Sequence, residues 1–476
     1  MQQRILTAAV AMAMAGPVAA QSAAQSTTSA NELQSLRDEI QTLRNAYEAR
    51  LQALEQRLQA AERATAQAPA AATTAADPAA APAASGVASV SPGAATAPAG
   101  GGANAFNPAV SLILSGLATR TSRDPAGYRI SGFGLSPDAE VGPGTRGLSL
   151  AESELAFSAS IDPYWRGALH AALHPDDSVS VEEAFVETTA LGSGLTLKAG
   201  RFFSNVGYLN PQHAHTWDFV DNPLAYQALL GTQYGDDGVQ LRWIAPTDQL
   251  LEFSAELGRG RSFPGSDVGA NGAGMRSVSV HTGGDIGDSH SWRAGLSVLQ
   301  ASAREQPLTG LAADDSIATA FTGRTRVYIA DAVWKWAPEG NATRTNFKLQ
   351  GEVLQARRSG SLVYDLGGPA ESAGDYRVTQ SGWYVQGIYQ FMPRWRVGLR
   401  TERLDAGSPN YGAHAGLFDG SGFQPKKHSL MLDYSPSEFS RVRLQFARDL
   451  AREGAADNQI FLQYQMSLGA HGAHGY

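Results

Sequence analysis

The residues with the most chemistry in them lie between Ser204 and Asp236. His213-Ala214-His215 is followed by Trp217-Asp218, by Asp221-Asn222-Pro223 and by an apolar run from Tyr226 to Leu230. Imidazoles two residues apart, with carboxylates nearby, are donor types that hold zinc and similar ions. His213 and His215 are therefore candidate metal ligands, although a lone His-x-His also arises in loops that bind nothing, and we expect no resident metal or other cofactor. A segment this rich in aromatic side chains belongs against protein rather than in water. His213, His215, Trp217, Asp218 and Asp221 are accordingly candidates for a loop that folds inward as a constriction, or packs over the mouth of a barrel or a neighbouring subunit.

Charge elsewhere is segregated. Residues 150–190 hold eight acids against Arg166, whereas residues 392–452 hold ten basic residues against six acids. Arg394, Arg396, Arg400, Arg441 and Arg443 form a basic set and Glu152 and Glu154 an acidic one, with Lys198, Lys348 and Glu352 on intervening polar positions. Rows of charge set selectivity when they line a pore; at a rim they are simply solvated. No catalytic constellation accompanies them. Gly-x-Ser-x-Gly, a Walker loop and His-Glu-x-x-His are missing, and no dinucleotide fingerprint is followed by a helix. Neighbours such as Glu182 and Glu183 point to opposite faces of a strand and make no acid/base couple. With zero cysteines, disulfides, cysteinyl metal sites and a thiol nucleophile are excluded. A net charge of −8 argues against a nucleic-acid partner. We expect no enzyme.

The elements that must position these residues follow from periodicity. From Phe106 to Tyr476 apolar residues recur at every second position, as in Phe347, Leu349, Gly351 and Val353, or Ile460, Leu462, Tyr464, Met466 and Leu468. About sixteen such runs of nine to fourteen residues occur, with no convincing amphipathic helix among them. Sandwich strands average five or six residues, whereas strands crossing a membrane need nine to eleven, with short turns at one end and long loops at the other. Met392-Pro393 and Ser435-Pro436-Ser437 are short joins; Ser204–Asp237, Pro264–Met275 and Leu362–Thr379 are long ones. Trp243, Trp334, Trp336, Trp383, Tyr389 and Trp395 fall near run ends, where interfacial girdles belong. The reading is an all-β transmembrane barrel of about 16 antiparallel strands (range 16–18), preceded by an α-helical coiled coil and a disordered linker. The arginines, Glu152, Glu154, Lys198, Lys348 and Glu352 then become pore-lining candidates.

Ahead of the barrel, residues 1–20 read as a signal peptide, with Arg4, an apolar core from Ile5 to Ala15 and small residues at Val18-Ala19-Ala20. Residues 29–63 read as a periplasmic coiled coil. Ser29 opens a capping box with Glu32, and Leu33, Leu36, Ile40, Leu43, Tyr47, Leu51, Leu54, Leu58 and Ala61 form the seam, with a stutter at Tyr47–Leu51. Residues 64–105 are an Ala/Pro/Gly-rich flexible linker with Asp77 as its one charge, and residues 106–476 are the barrel domain.

Residues 106–476 resemble Gram-negative outer-membrane porins of the phosphate-selective porin class, in forms bearing an N-terminal coiled coil. The resemblance rests on Lys198–Phe203, on Gly207–Tyr226, on Gln233–Trp243 and on Ser467–His474. It implies a homotrimer of sixteen-stranded channels in the outer membrane, knotted by the coil in the periplasm. Partners are then membrane lipid, the barrel assembly machinery and small polar solutes. The expected function is passive diffusion of small polar or charged solutes, with anion preference a carried-over feature. The alternatives are a TonB-dependent or zinc/metal-related receptor and a structural link across the envelope.

Overall fold

The computed structural model describes residues 108–469 apart from 138, 268, 270, 313–316 and 419–421. The signal peptide, the coiled coil and the linker therefore lie outside the described residues. The rest is one sheet that closes on itself. Strand β1 (Ala109–Thr121) pairs with β17 (Ala455–Gly469) along Ser111↔Gly469 to Thr121↔Gln459. Its other edge pairs with β2 (Gly147–Leu150) and β3 (Ser153–Ser160), two halves of one stave interrupted at Ala151-Glu152. Between them run β4 (Trp165–Leu173), β5 (Val179–Thr188), β6 (Leu195–Phe203), β7 (Gly235–Ile244), β8 (Leu250–Gly258), β9 (Met275–Ile286) and β10 (His290–Leu308). They continue with β11 (Thr319–Trp336), β12 (Asn346–Tyr364), β13 (Ser372–Met392), β14 (Trp395–Asp405), β15 (Lys426–Ser437) and β16 (Ser440–Arg452). Each stave is antiparallel to the next, so the barrel has sixteen staves and no free edge.

Alternation decides which side chains face which way. Val278, Leu296, Val353 and Leu399 are more than half exposed on the outer face. Their sequence neighbours Ser277, Ser297, Glu352 and Arg400 are buried inside. The interior also holds Gln350, Gln380, Gln386, Gln445, Gln459, Gln463 and Gln465. An apolar exterior around a polar interior inverts the soluble pattern and suits a lipid surround. The two ends differ too. One carries two-residue turns at 393–394 and 438–439; the other carries connections 122–146, 204–234, 259–274 and 406–425.

Strand length departs from the sequence reading. Strands β10 to β13 run 18 to 21 residues, against 8 to 10 for β3 to β8, so the wall is tall on one side and low on the other. Within the connection 204–234, outside the alternating runs, a short helix we label α1 spans Leu224–Leu230, wholly buried. Seven residues are too few to show a period. It stands because loops 122–146 and 204–234 enter the barrel and form a core with its wall. Ile130, Phe133, Val206, Leu209, Trp217 and α1 pack there against Leu299, Ile329, Leu354, Tyr384 and Leu404.

Candidate functional site

Segment 204–234 crosses the lumen, and each part is anchored to the wall by a group that its local backbone needs. Glu256 accepts from the Ser204 hydroxyl and from Asn205 N–H. Glu352 on β12 accepts from the amides of Tyr208 and Leu209 and from the hydroxyls of Tyr226 and Tyr384, at 2.6–3.0 Å. Helix α1 begins at Pro223 with no side-chain cap of its own. Glu402 on β14 takes that place, accepting from Leu224 N–H at 2.5 Å. The helix ends at Gly231 in the left-handed conformation (φ 64°), which ordinarily requires glycine.

The middle of the segment is matched in charge to the two walls it bridges. On the acidic wall, Glu154 of β3 meets His170 Nδ1 at 2.7 Å, His213 Nδ1 at 3.1 Å and His215 Nδ1 at 3.0 Å. His213 also meets Glu182 at 3.1 Å through Nδ1 and Glu183 at 2.9 Å through Nε2. The His170 and His213 rings stack with centroids 4.6 Å apart. Burial alone would push the His213 imidazolium toward neutrality. The Glu154 carboxylate, seconded by Glu182 and Glu183, outweighs it and holds His213 well above its ordinary pKa.

On the basic wall the polarity reverses. Asp218 pairs with Lys348 and, at 3.3 Å, with Arg396. Asp221 meets Arg400 at 2.8 Å and Lys427 at 2.6 Å, and accepts from Gln445 at 2.8 Å. Burial would raise both carboxyls. For Asp218 the charges of Lys348 and Arg396 overcome it, and for Asp221 those of Lys427 and Arg400, so both sit well below the usual range. Arg441 and Arg443 donate to backbone carbonyls of the same segment, Arg441 to His215 O at 2.7 Å and Arg443 to Trp217 O at 2.6 Å. Trp217 is buried, its indole N–H on Gln212 O at 3.0 Å.

Among the expected wall residues, Arg396, Arg400, Arg441, Arg443, Lys348, Glu154 and Glu352 thus come together around the loop, occupied by it. Lys198 sits apart on β6, 3.9 Å from Glu187 and over the Phe185 ring. Glu152 lies at the break between β2 and β3, and Arg394 in the turn 393–394 with φ 72°, away from the row. The suggestion that Asp218 and Asp221 complete a metal set with the histidines is corrected: they face the opposite wall. The reading of Glu182 and Glu183 as opposed is corrected as well. Register slips between His170↔Glu183 and Ala171↔Val181, leaving Glu182 as a bulge residue, and both carboxylates reach His213.

Sequence reasoning did not single out His170, Lys427 or Glu402. His170 was signalled only by its inward parity on β4, next to outward-facing Leu169. Glu154, His170 and His213 each offer a donor atom, all within 4.8 Å of one another, and His215 joins them through Glu154. Imidazole with carboxylate is a donor set that fits zinc.

A sixteen-stave barrel with an inward-folded loop bridging oppositely charged walls is the class that fold and site define. The chain belongs to the same family as a protein of Aquifex aeolicus (strain VF5) described only as uncharacterized; the two are 30% identical over 400 residues, covering 78% of this chain and 80% of that one. No family model matches. Among solved structures the chain is similar to the loop-L8 deletion mutant of OmpT, an outer membrane protein of Vibrio cholerae (10% identity, TM-score 0.48, covering 75% of this chain and 98% of that one). It is also similar to an anion-selective porin from Comamonas acidovorans (12%, 0.44, 76% and 99%) and to the outer membrane channel DcaP of Acinetobacter baumannii (13%, 0.43, 75% and 96%).

Proposed function

We propose that this protein is an outer-membrane channel through which small polar or charged solutes diffuse passively, with segment 204–234 as its constriction. One observation carries the reading: a closed barrel, apolar outside and polar inside, holds a loop across its lumen between an acidic and a basic wall. A solute passing such a loop crosses a transverse field, which orders dipolar and charged solutes by fit rather than by size alone. The basic wall supports anion preference. The short-turn end, where the chain enters and leaves the barrel, then faces the periplasm with the coiled coil of residues 29–63, and three chains associate through it.

Planar-bilayer recording tests the reading: discrete conductance steps are expected, in triplets for a trimer, and a permanently silent barrel overturns it. Replacing Arg396 and Arg400 together with glutamine should move the reversal potential under a salt gradient toward cations. An unmoved potential would remove both from the conducting path. Energised receptors wrap 22 strands around a plug, six more than this barrel has.

The Glu154–His170–His213–His215 group favours a second, metal-related reading. If it operates, micromolar zinc should bind the purified protein and His170→Ala should abolish that binding; no heat of binding in the wild type sinks it.

A further inference from the structure

We propose that the outer wall of the barrel carries a binding site for the phosphate groups of an anionic membrane lipid, built by Arg324, Arg326, Arg357 and Arg377. All four are exposed on the outward face of neighbouring strands β11, β12 and β13. Register sets them side by side: Arg326 is directly opposite Arg357, while Arg324 and Arg377 flank Ser359 in the next outward row. With Thr379, Ser408 and Asn410 they line an open groove of ≈ 730 Å³. Like charges directly opposite one another across strands repel, and nothing in the wall relieves them. None of the four is in an ion pair among the described residues, and the exposed acids Glu305, Asp375 and Asp405 of that face pair with none of them. Arg326 is held only by Gln300 at 2.8 Å, and Arg357 by Gln355 at 3.2 Å and the face of the Tyr328 ring.

Height identifies the occupant. Arg326 stands ten residues along β11 from Trp336 of the lower aromatic girdle. At about 3.3 Å a residue and a tilt of about 40°, that is roughly 25 Å, the height of an apolar band. The outward row just below holds Tyr328, and the next holds Ala330, Val353 and Trp383. Arginine is costly at the middle of a bilayer and nearly free at its interface, where lipid phosphates lie. Planar guanidinium forks match phosphate oxygens two at a time. A solute in the lumen cannot reach these side chains, because they point away from it.

The site rests on the membrane-spanning reading and not on conduction. To test it, the full-length protein is exchanged into micelles holding equal phosphatidylglycerol and phosphatidylcholine, and the retained lipid is counted by native mass spectrometry. About a tenfold preference for the anionic lipid is expected, falling to parity when all four arginines become glutamine, with conductance unchanged. Parity in the wild type, or an unchanged preference in the variant, overturns the proposal. Displacement of the lipid by millimolar inorganic phosphate assigns the groove to the free anion and overturns the lipid as occupant. If the fourfold variant fails to fold, the pair Arg326→Gln and Arg357→Gln gives the same reading. A silent barrel that still retains anionic lipid sinks the channel and leaves this site standing.

Discussion

His213 has a carboxylate on each ring nitrogen, and Asp221 has a cation on each oxygen. These two residues make the loop's hold on the walls dependent on pH in opposite senses. The His213 pKa is raised in the folded state, so its contribution is complete below its unfolded pKa and is lost as pH rises through the folded value. The Asp218 and Asp221 pKa values are depressed, so theirs is present above the unfolded value and lost only as pH falls through a folded value far into acid. Conductance should therefore hold steady across neutrality and change as pH is taken well above the ordinary histidine range. His213→Gln should remove that alkaline transition; a transition that survives the substitution would place its origin elsewhere. Asp221→Asn leaves Arg400 and Lys427 buried with less than their counter-charge, at a cost of about 3–5 kcal/mol for such a break. Faster proteolysis within 204–234 is the measurement. The histidines and aspartates were legible as reactive types, but their partners were not. Three to eight residues of chain place them on opposite walls, and no local spacing reports which wall is nearer.

Among the elements, segment 204–234 is held in shape mainly by the wall. Gly207 has φ +67°, and a Cβ there would fall on the Glu352 carboxylate and the Tyr226 hydroxyl, the groups that organise the loop's first turn. Gly207→Ala should destabilise the folded protein by about 1–3 kcal/mol, combining a left-handed non-glycine residue with displacement of a buried acceptor. Unfolding followed by the heat-induced shift on a denaturing gel should move to lower temperature; an unchanged midpoint would show that the loop relaxes freely. Helix α1 tells the same story, since its first amide is capped from β14 by Glu402 rather than by its own sequence. The alternation of β10 to β17 could be read directly because each strand has one apolar face. The bulge at Glu182 could not, because one inserted residue leaves the local pattern looking regular while turning a side chain to the other face.

For the whole molecule, the barrel sorts surface into three environments: an apolar exterior, a polar lumen and an apolar core made by loops inside that lumen. The tall side of the wall, β10 to β13, is the side that bears the arginine groove. Deleting residues 31–63 should weaken trimers on a non-denaturing gel while leaving the barrel folded; trimers of undiminished stability would give the coil another role. By itself, the sequence determined the period of two, the alternation of short turns with long loops and the segregation of charge. Each of these is a local property, because strand geometry repeats every two residues and lipid accepts only apolar faces. Tertiary structure alone decided that the loop enters the barrel, that its histidines meet Glu154 and its aspartates the basic wall, and that four outward arginines share one groove. Those are consequences of closure, which brings His215 and Gln465, 250 positions apart, within hydrogen-bonding distance.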